Sequence, residues 1–549
     1  MRFLLLLFIS LFSLETFPQD FNRSDSLRGN LSSFRSCYDV NYYDLNIVID
    51  DKNKKISNSF NIIHLTALDN FQSLQIDLFS NLNILSIEFE NTLLSFTRDH
   101  NAVFIDFPRV ILKDEILSFA VYYNGEPREA INPPWDGGFS WENDNNSLPW
   151  IGVSCQGLGA SSWWPCKDHQ SDEPDSMKIT CSVRKPLQVI SNGNLINDTV
   201  IYNKDLNSLT TKSSWFVSYP INSYNVTLCI GDYSHFNDIY VNQKDTLDLD
   251  YYVLSYNKNK AMEHFKQVKP MLACFEKYFG PYPFWSDGYA LVETPYLGME
   301  HQSAIAYGNN FLHGYNGNTK FTAGFDFDYI IIHETGHEWW GNSITTNDIA
   351  DMWIHEGFCT YSEVLYVECI YGYDAMLKYV NNQKKSVRND KPIVGPYNVN
   401  RRGSNDMYQK ASLMLHTLRS VIDNDSLWFA LIEGISYEFK HKTIDGIDII
   451  NYINSVLQRD FSTFFNQYLY NKNLPVLEYK IKSNGSYYSV MYRWDAVSDF
   501  EMRIQVNNGN NNIWITPNDS WKELSLELID IKDFSIRKDL FFIETKKIK

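Results

Sequence analysis

The sequence predicts a multidomain α+β protein: an N-terminal antiparallel β domain, a mainly helical central domain and a small C-terminal β-sandwich-like domain. Three observations carry this. Apolar and polar residues alternate in short runs from about Tyr38 to His235. The texture turns helical near Asp250, and alternation returns after "NKNLPVLEY" and lasts to the end. At 549 residues the chain is too long for one ordinary domain. A hydrophobic content of 44% with 15% aromatic residues supplies sizeable cores and excludes a disordered chain.

The elements follow in order. "MRFLLLLFISLFSLETFPQDFN" places one arginine before an apolar run from Phe3 to Leu14. That run has the length of a signal-peptide core and is too short to span a bilayer. Residues 1–18 are therefore expected to be a signal peptide cut near Pro18. The chain is expected to be exported, periplasmic or secreted, with no membrane span in the mature protein. Residues 19–245 are assigned to the β domain on runs such as "YYDLNIVID", "FNIIHLTAL" and "VTLCIGDY". Period-two alternation rich in β-branched and aromatic residues means strands. Residues 246–473 form the central domain. There "NKAMEHFKQVKPMLACFEKYFG" is helical in period and stops at Gly280-Pro281. Further helices are expected around 326–341, 355–371, 405–422, 426–438 and 446–470. Residues 474–549 alternate again.

Forty-eight basic against 66 acidic residues give a net charge of −18. Nucleic acids and anionic membranes both require a basic footprint, so neither is an expected partner. The eight cysteines are widely spaced and form no zinc knuckle, so no disulfide pairing is assigned.

The central domain contains "IIIHETGHEWWGN", Ile330 to Asn342. On an α-helix, residues four apart are offset by about 40° and 6 Å, so His333 and His337 project from one face and can hold one metal ion. Imidazole nitrogens suit zinc, and HExxH on a helix is the sequence form of a zinc hydrolase site. Catalytic zinc usually takes three protein ligands and leaves a fourth position for water. A metzincin histidine is absent, since Trp340 and Ser343 stand where its Gly and His would be. "MWIHEGFCTYSE" instead offers Glu356, with 18 residues between it and His337. The intervening "GNSITTNDIADM" contains turn residues that let the chain fold back, so Glu356 opens a second helix packed on the first. Glu334 lies just off the ligand face. Its expected role is general base toward a zinc-activated water, whose pKa the metal lowers from 15.7 to about 7. Glu363, two turns beyond Glu356, is expected to orient a zinc histidine from behind.

HExxH, the 18-residue interval and the glutamate of "HEGF" resemble the aminopeptidase N-type zinc peptidase family, the gluzincin aminopeptidases that include leukotriene hydrolase. The likeness extends to "GPYPFWSDGYALVETPYLGMEHQSAIAYG", which resembles the family's exopeptidase signature. It extends also to "SWWPCKDHQSDEP" and "VISNGNL" in the β domain, to "MYQKASLML", and to "FSTFFNQYL". In order and spacing these cover roughly residues 40 to 475.

The resemblance implies a thermolysin-like catalytic domain holding one Zn2+ per chain on His333, His337 and Glu356. It implies that Glu300 pairs with the free α-amine of a peptide substrate, a group that is mostly cationic near neutrality. Gln156 would share that contact, Gly298 and Met299 would line the bound backbone, and Tyr408 would donate to the oxyanion of the tetrahedral intermediate. Two departures stand out. The signature's asparagine is His301 here, whose protonation is expected to alter pH dependence or residue preference. The family's large helical C-terminal domain has no counterpart, so the cleft is expected to be more open and to admit longer peptides unless a partner subunit covers it. The expected function is a zinc-dependent aminopeptidase acting on peptides with a free N-terminal amine. A noncatalytic peptide-binding scaffold and a lipid epoxide hydrolase are the two other readings.

Overall fold

Burial in Tyr38–Asp50 alternates almost residue by residue, and Lys55–Ala67, its antiparallel neighbour, does the same. One face of each strand is apolar, so the two must lie in a sheet with a covered side. The computed structural model describes residues 21–242, 245–483, 488–509, 511–526 and 531–549. The signal-peptide expectation lies outside the described residues.

These strands sit in the middle of an eight-stranded sheet that runs from Asn194–Asn203 at one edge to Thr92–Leu93 at the other. The sheet is not wholly antiparallel, because Tyr38–Asp50 and Ser176–Arg184 pair parallel. Alternation reports which face a side chain takes, not the direction of the neighbouring strand. A smaller four-stranded sheet contains Pro149–Ser154, whose end delivers the loop carrying Gln156.

The expected domain boundary at residue 245 falls inside a hairpin. Tyr233–Val241 pairs along its whole length with Thr246–Leu254, in a five-stranded sheet completed by Tyr289–Glu293, Ile305–Tyr307 and Gly298–Met299. The strand before residue 245 therefore belongs with the central sheet. Strand pattern alone cannot assign a strand to one of two consecutive sheets.

Helices follow the expected positions with shifts at their ends. The stretch expected as one helix over 446–470 is two, Gly446–Leu457 and Ser462–Leu469, separated where Gln458 turns left-handed at φ 49°. Val268–Phe279 ends at Gly280, whose φ of 80° suits a residue without Cβ. A disulfide joins Cys274 of that helix to Cys369 near the end of Trp353–Tyr371. The other six cysteines are buried and unpaired.

At the C-terminus, two small sheets form the expected β-sandwich-like unit: one around Val476–Ser483 and Tyr488–Asp495, the other around Ile504–Asn508. One apolar core runs from Leu247 through the helices to Ile543. A second fills the N-terminal domain and reaches Met299 and Ala306. Strand Gly298–Met299 is thus held at the seam between the two cores. The short helix Arg23–Gly29 crosses the same seam. The Asn400 N–H donates to the Asp25 carbonyl at 2.9 Å. Arg28 donates to the Leu158 carbonyl and, at 2.8 Å, to that of Gly157, and its Nε lies 3.1 Å from Asp168.

Candidate metal centre and substrate cleft

The HExxH helix is Tyr329–Gly336, and all eight of its residues are buried. Asp328 caps it by accepting the N–H groups of Ile330 at 2.9 Å and Ile331 at 3.3 Å. The chain then turns through Trp339 and Trp340, and Ile344–Thr346 pairs parallel with Lys442–Ile444. After one further short turn it enters Trp353–Tyr371. The fold-back expected of "GNSITTNDIADM" therefore occurs, and it sets Glu356 in the first turn of the second helix.

Each histidine has one nitrogen engaged and one left over. His333 Nδ1 lies 2.7 Å from Glu363 Oε1, and because a carboxylate can only accept, the ring donates there. Glu363 also accepts from Tyr379 at 2.5 Å. His337 Nδ1 donates to the Trp340 carbonyl at 2.9 Å. In the neutral tautomer this fixes, each Nε2 turns a lone pair toward Glu356, whose Oε2 is 3.8 Å from that of His333 and 3.4 Å from that of His337. A tetrahedral zinc with bonds of about 2.0–2.2 Å separates neighbouring ligand atoms by about 3.4 Å, close to these values. Glu356 Oε2 is buried and has no hydrogen-bond partner. A buried carboxylate oxygen facing two imidazole lone pairs requires a cation. Cys359 also lies close to both histidines, but its thiol donates to the His333 carbonyl at 2.8 Å. The residues fit one zinc ion held by His333, His337 and Glu356.

Glu334 lies beneath strand Gly298–Met299. A Cβ on Gly298 would come within 2.9 Å of Glu334 Oε1 and 2.6 Å of Ile330, so only glycine lets this backbone pass over the helix. Burial pushes the Glu334 carboxyl up to about 7, with His333 opposing and Glu300 adding to the rise. A bound cation would bring it down again.

Glu300, the residue after this strand, is buried, and its carboxylate lies within 4.8 Å of that of Glu334 and of a ring nitrogen of His337. Gln156 Nε2 donates to Glu300 Oε1 at 2.6 Å and to Glu356 Oε1 at 3.2 Å. Tyr224 adds a hydroxyl to Glu300 Oε1 at 3.2 Å, and Asn342 donates to the Glu300 carbonyl at 2.9 Å. The pattern of the sequence marked neither Tyr224 nor Asn342. One stands in the single 3-10 turn Ser223–Asn225 and the other just past the HExxH helix, and both meet Glu300 only through the tertiary fold.

Tyr408 precedes helix Gln409–Ile422, and its ring centroid is 6.2 Å from that of His333. Burial first, and Glu356 second, hold its phenol well above the usual tyrosine range, so it keeps its proton. Gln156, Gly298, Met299, Glu300, Glu334 and Tyr408 line one cavity of about 420 Å³ together with the three metal-facing residues.

His301 departs from expectation. It is fully buried, and neither ring nitrogen has a partner. Burial holds its pKa down to about 3, so it is neutral across the ordinary range and does not supply the pH dependence expected of it.

The sequence profile of the Peptidase family M1 domain matches residues 263–468. A leucyl aminopeptidase of Saccharolobus solfataricus is 22% identical over 350 residues, which is 60% of this chain and 42% of that protein. A probable aminopeptidase 1 of Sulfurisphaera tokodaii is 21% identical over 406 residues, 68% of this chain and 48% of that protein. The chain thus spans less than half the length of these curated relatives. Among solved structures, a mutant M1 zinc metallopeptidase from Deinococcus radiodurans bound to a Tyr-Ser-Ala substrate is similar with a TM-score of 0.65 at 17% identity. The match covers 80% of this chain and 96% of that one. A two-domain M1 zinc metallopeptidase mutant bound to L-tryptophan is similar with a TM-score of 0.64 at 18% identity, covering 76% and 91%. At such identities the likeness is one of fold.

Proposed function

With a peptidase family M1 domain at residues 263–468, the chain belongs among the aminopeptidase N-type zinc peptidases, and on that premise we propose that it removes the N-terminal residue from peptides bearing a free α-amine. The observation that supports this reading most is the joint position of Glu300 and the three metal-facing side chains in one cavity, with Gln156 bridging them. Burial raises the Glu300 carboxyl above its usual range, and its two hydrogen bonds hold it in place as a partner for an ammonium group, whose charge would favour the carboxylate form. Because it stands beside the metal site, an amine paired with it would leave room for one residue before the scissile bond.

Zinc held by His333, His337 and Glu356 would supply Lewis acidity toward the scissile carbonyl and toward water. The chain's own residues do the rest. Glu334 accepts the proton of the attacking water and passes it to the departing amine. Tyr408, kept protonated, donates to the oxygen that gains charge in the transition state. Glu363 and the Trp340 carbonyl fix the tautomer of the two histidines. Gly298 and Met299 offer backbone to the bound peptide from the edge of the sheet.

Export to an oxidising compartment is part of the same proposal. It is supported by the apolar N-terminal run and by the Cys274–Cys369 disulfide, a bond rarely kept in a reducing cytosol. The noncatalytic-scaffold and lipid-epoxide readings draw no support from the site.

The test uses amino-acid anilides. The purified protein is expected to hold about one zinc per chain and to cleave free-amine anilides but not N-acetylated ones. Glu334→Gln is expected to keep the metal and lose at least two to four orders of magnitude in kcat. Equal cleavage of blocked and free substrates would refute the exopeptidase reading, and a fully active Glu334→Gln would refute the general base.

A further inference from the structure

Two guanidinium groups in the cleft have no part in the chemistry above. Arg388 and Arg402 line the same cavity as His333, Glu334 and Glu356, and both are exposed. Among the described residues, no carboxylate lies within salt-bridge distance of either. This goes against the composition, since acids outnumber bases by 66 to 48. Other arginines of the chain are paired: Arg28 with Asp168, Arg35 with Asp77, and Arg419 with Glu368 and Asp425.

Their placement is constrained by the backbone. Asp406 accepts the N–H of Arg388 at 2.9 Å and that of Asn389 at 2.7 Å, which pins this loop to the turn leading into Tyr408. The segment before Arg402 is held by the Asn398 N–H donating to Asp348 at 2.7 Å and by the Asn400 N–H donating to Asp25. Just after Arg402, a Cβ on Gly403 would come within 1.9 Å of the Ile393 carbonyl, so this strand of chain is packed tight. Arg402 also lines a smaller cavity with Gln156, which places it between the amine-binding side and Tyr408.

The cavity is therefore polarised. Glu300, Glu334 and Glu356 make one part acidic, and two unpaired guanidiniums make another part basic. A ligand that matches it carries an ammonium group at one end and a carboxylate further along. We propose that Arg388 and Arg402 form a carboxylate-binding subsite for the part of the peptide beyond the scissile bond, an inference that rests on the aminopeptidase reading. Arginine's planar fork suits such a group in one or two parallel hydrogen bonds. The carboxylate is supplied by the C-terminus of a short peptide or by an acidic side chain downstream of the cut.

Four substrates separate the outcomes: an amino-acid anilide, a tripeptide with a free C-terminus, its C-terminal amide, and an amidated tripeptide with Asp third. The wild type is expected to favour one or both carboxylate-bearing peptides over the plain amide by about tenfold or more in kcat/KM, mainly through KM. In Arg402→Gln and Arg388→Gln that preference should shrink toward one. Preference for the free C-terminus alone assigns the subsite to chain ends, and preference for the Asp peptide alone assigns it to acidic side chains. Cleavage of the anilide with no preference for either carboxylate overturns the subsite and leaves the aminopeptidase reading standing. No cleavage of any of the four overturns both.

Discussion

Gln156 donates one amide nitrogen to Glu300 at 2.6 Å and, at 3.2 Å, to Glu356. A single side chain from the β domain thus ties the Glu300 carboxylate to the metal-facing Glu356, across the seam between the two cores. Its replacement removes a charge-assisted contact from both.

Gln156→Ala is accordingly expected to lower kcat/KM for amino-acid anilides by roughly 10- to 100-fold, since hydrogen bonds to charged groups contribute about 1.5–3 kcal/mol. Zinc content should stay near that of the wild type, because Glu356 keeps both histidines. Kinetics beside metal analysis of the same preparation check both halves.

Glu363 acts on the metal only through His333. Replacing it with Gln leaves one of its two donors facing an amide N–H, so the ring loses its fixed tautomer. Zinc affinity should fall by about 10- to 100-fold. Competition with a graded chelator series reads this directly, and unchanged affinity would remove Glu363 from the site.

His301 bears on acid stability. Its folded pKa, held down to about 3 by burial, lies below the unfolded value of about 6.5. The unfolded chain therefore binds its proton first. The stability this neutral ring contributes is complete above about pH 6.5 and is lost as pH falls toward 3, by up to about 1.4 kcal/mol per pH unit. His301→Leu should flatten the fall in Tm between pH 6.5 and 4. A pH–Tm profile identical to that of the wild type would count against this account. The same substitution should not move the acidic limb of the rate profile, since the ring is already neutral there.

The Cys274–Cys369 bridge spans a sequence separation of 95 residues and links two helices of the central domain. Closing so long a loop restricts the unfolded chain, so Cys274→Ser with Cys369→Ser should cost about 2–4 kcal/mol. The loss should appear as a lower Tm, while kcat/KM at room temperature stays close to the wild-type value. Reduction of the native protein should reproduce the shift.

The metal helix was readable because its chemistry is local. Two histidines one turn apart, a glutamate between them and turn residues before Glu356 require no knowledge of the rest of the chain. The Glu300 side of the cavity was readable only in part. Glu300 and Gln156 came from resemblance, while Tyr224 and Asn342 sit in segments without periodicity and reach Glu300 through tertiary contact. His301 shows the opposite case. Its identity was plain, but its pKa depends on a burial that no local pattern reports. Strand directions were hidden for a similar reason, since alternation in Tyr38–Asp50 is the same whether its neighbour runs parallel or antiparallel.

The short helix at Arg23–Gly29 gives the cleft a dependence on the front of the chain. Through Arg28 it grips the loop that bears Gln156, and through Asp25 it grips the loop that bears Arg402. Two walls of the pocket from distant stretches of sequence therefore share one brace, laid across them by a segment outside the lining of the main cavity. Loosening that brace would widen the pocket mouth while both cores stay folded, so any ligand would be held less firmly before the chain lost its shape.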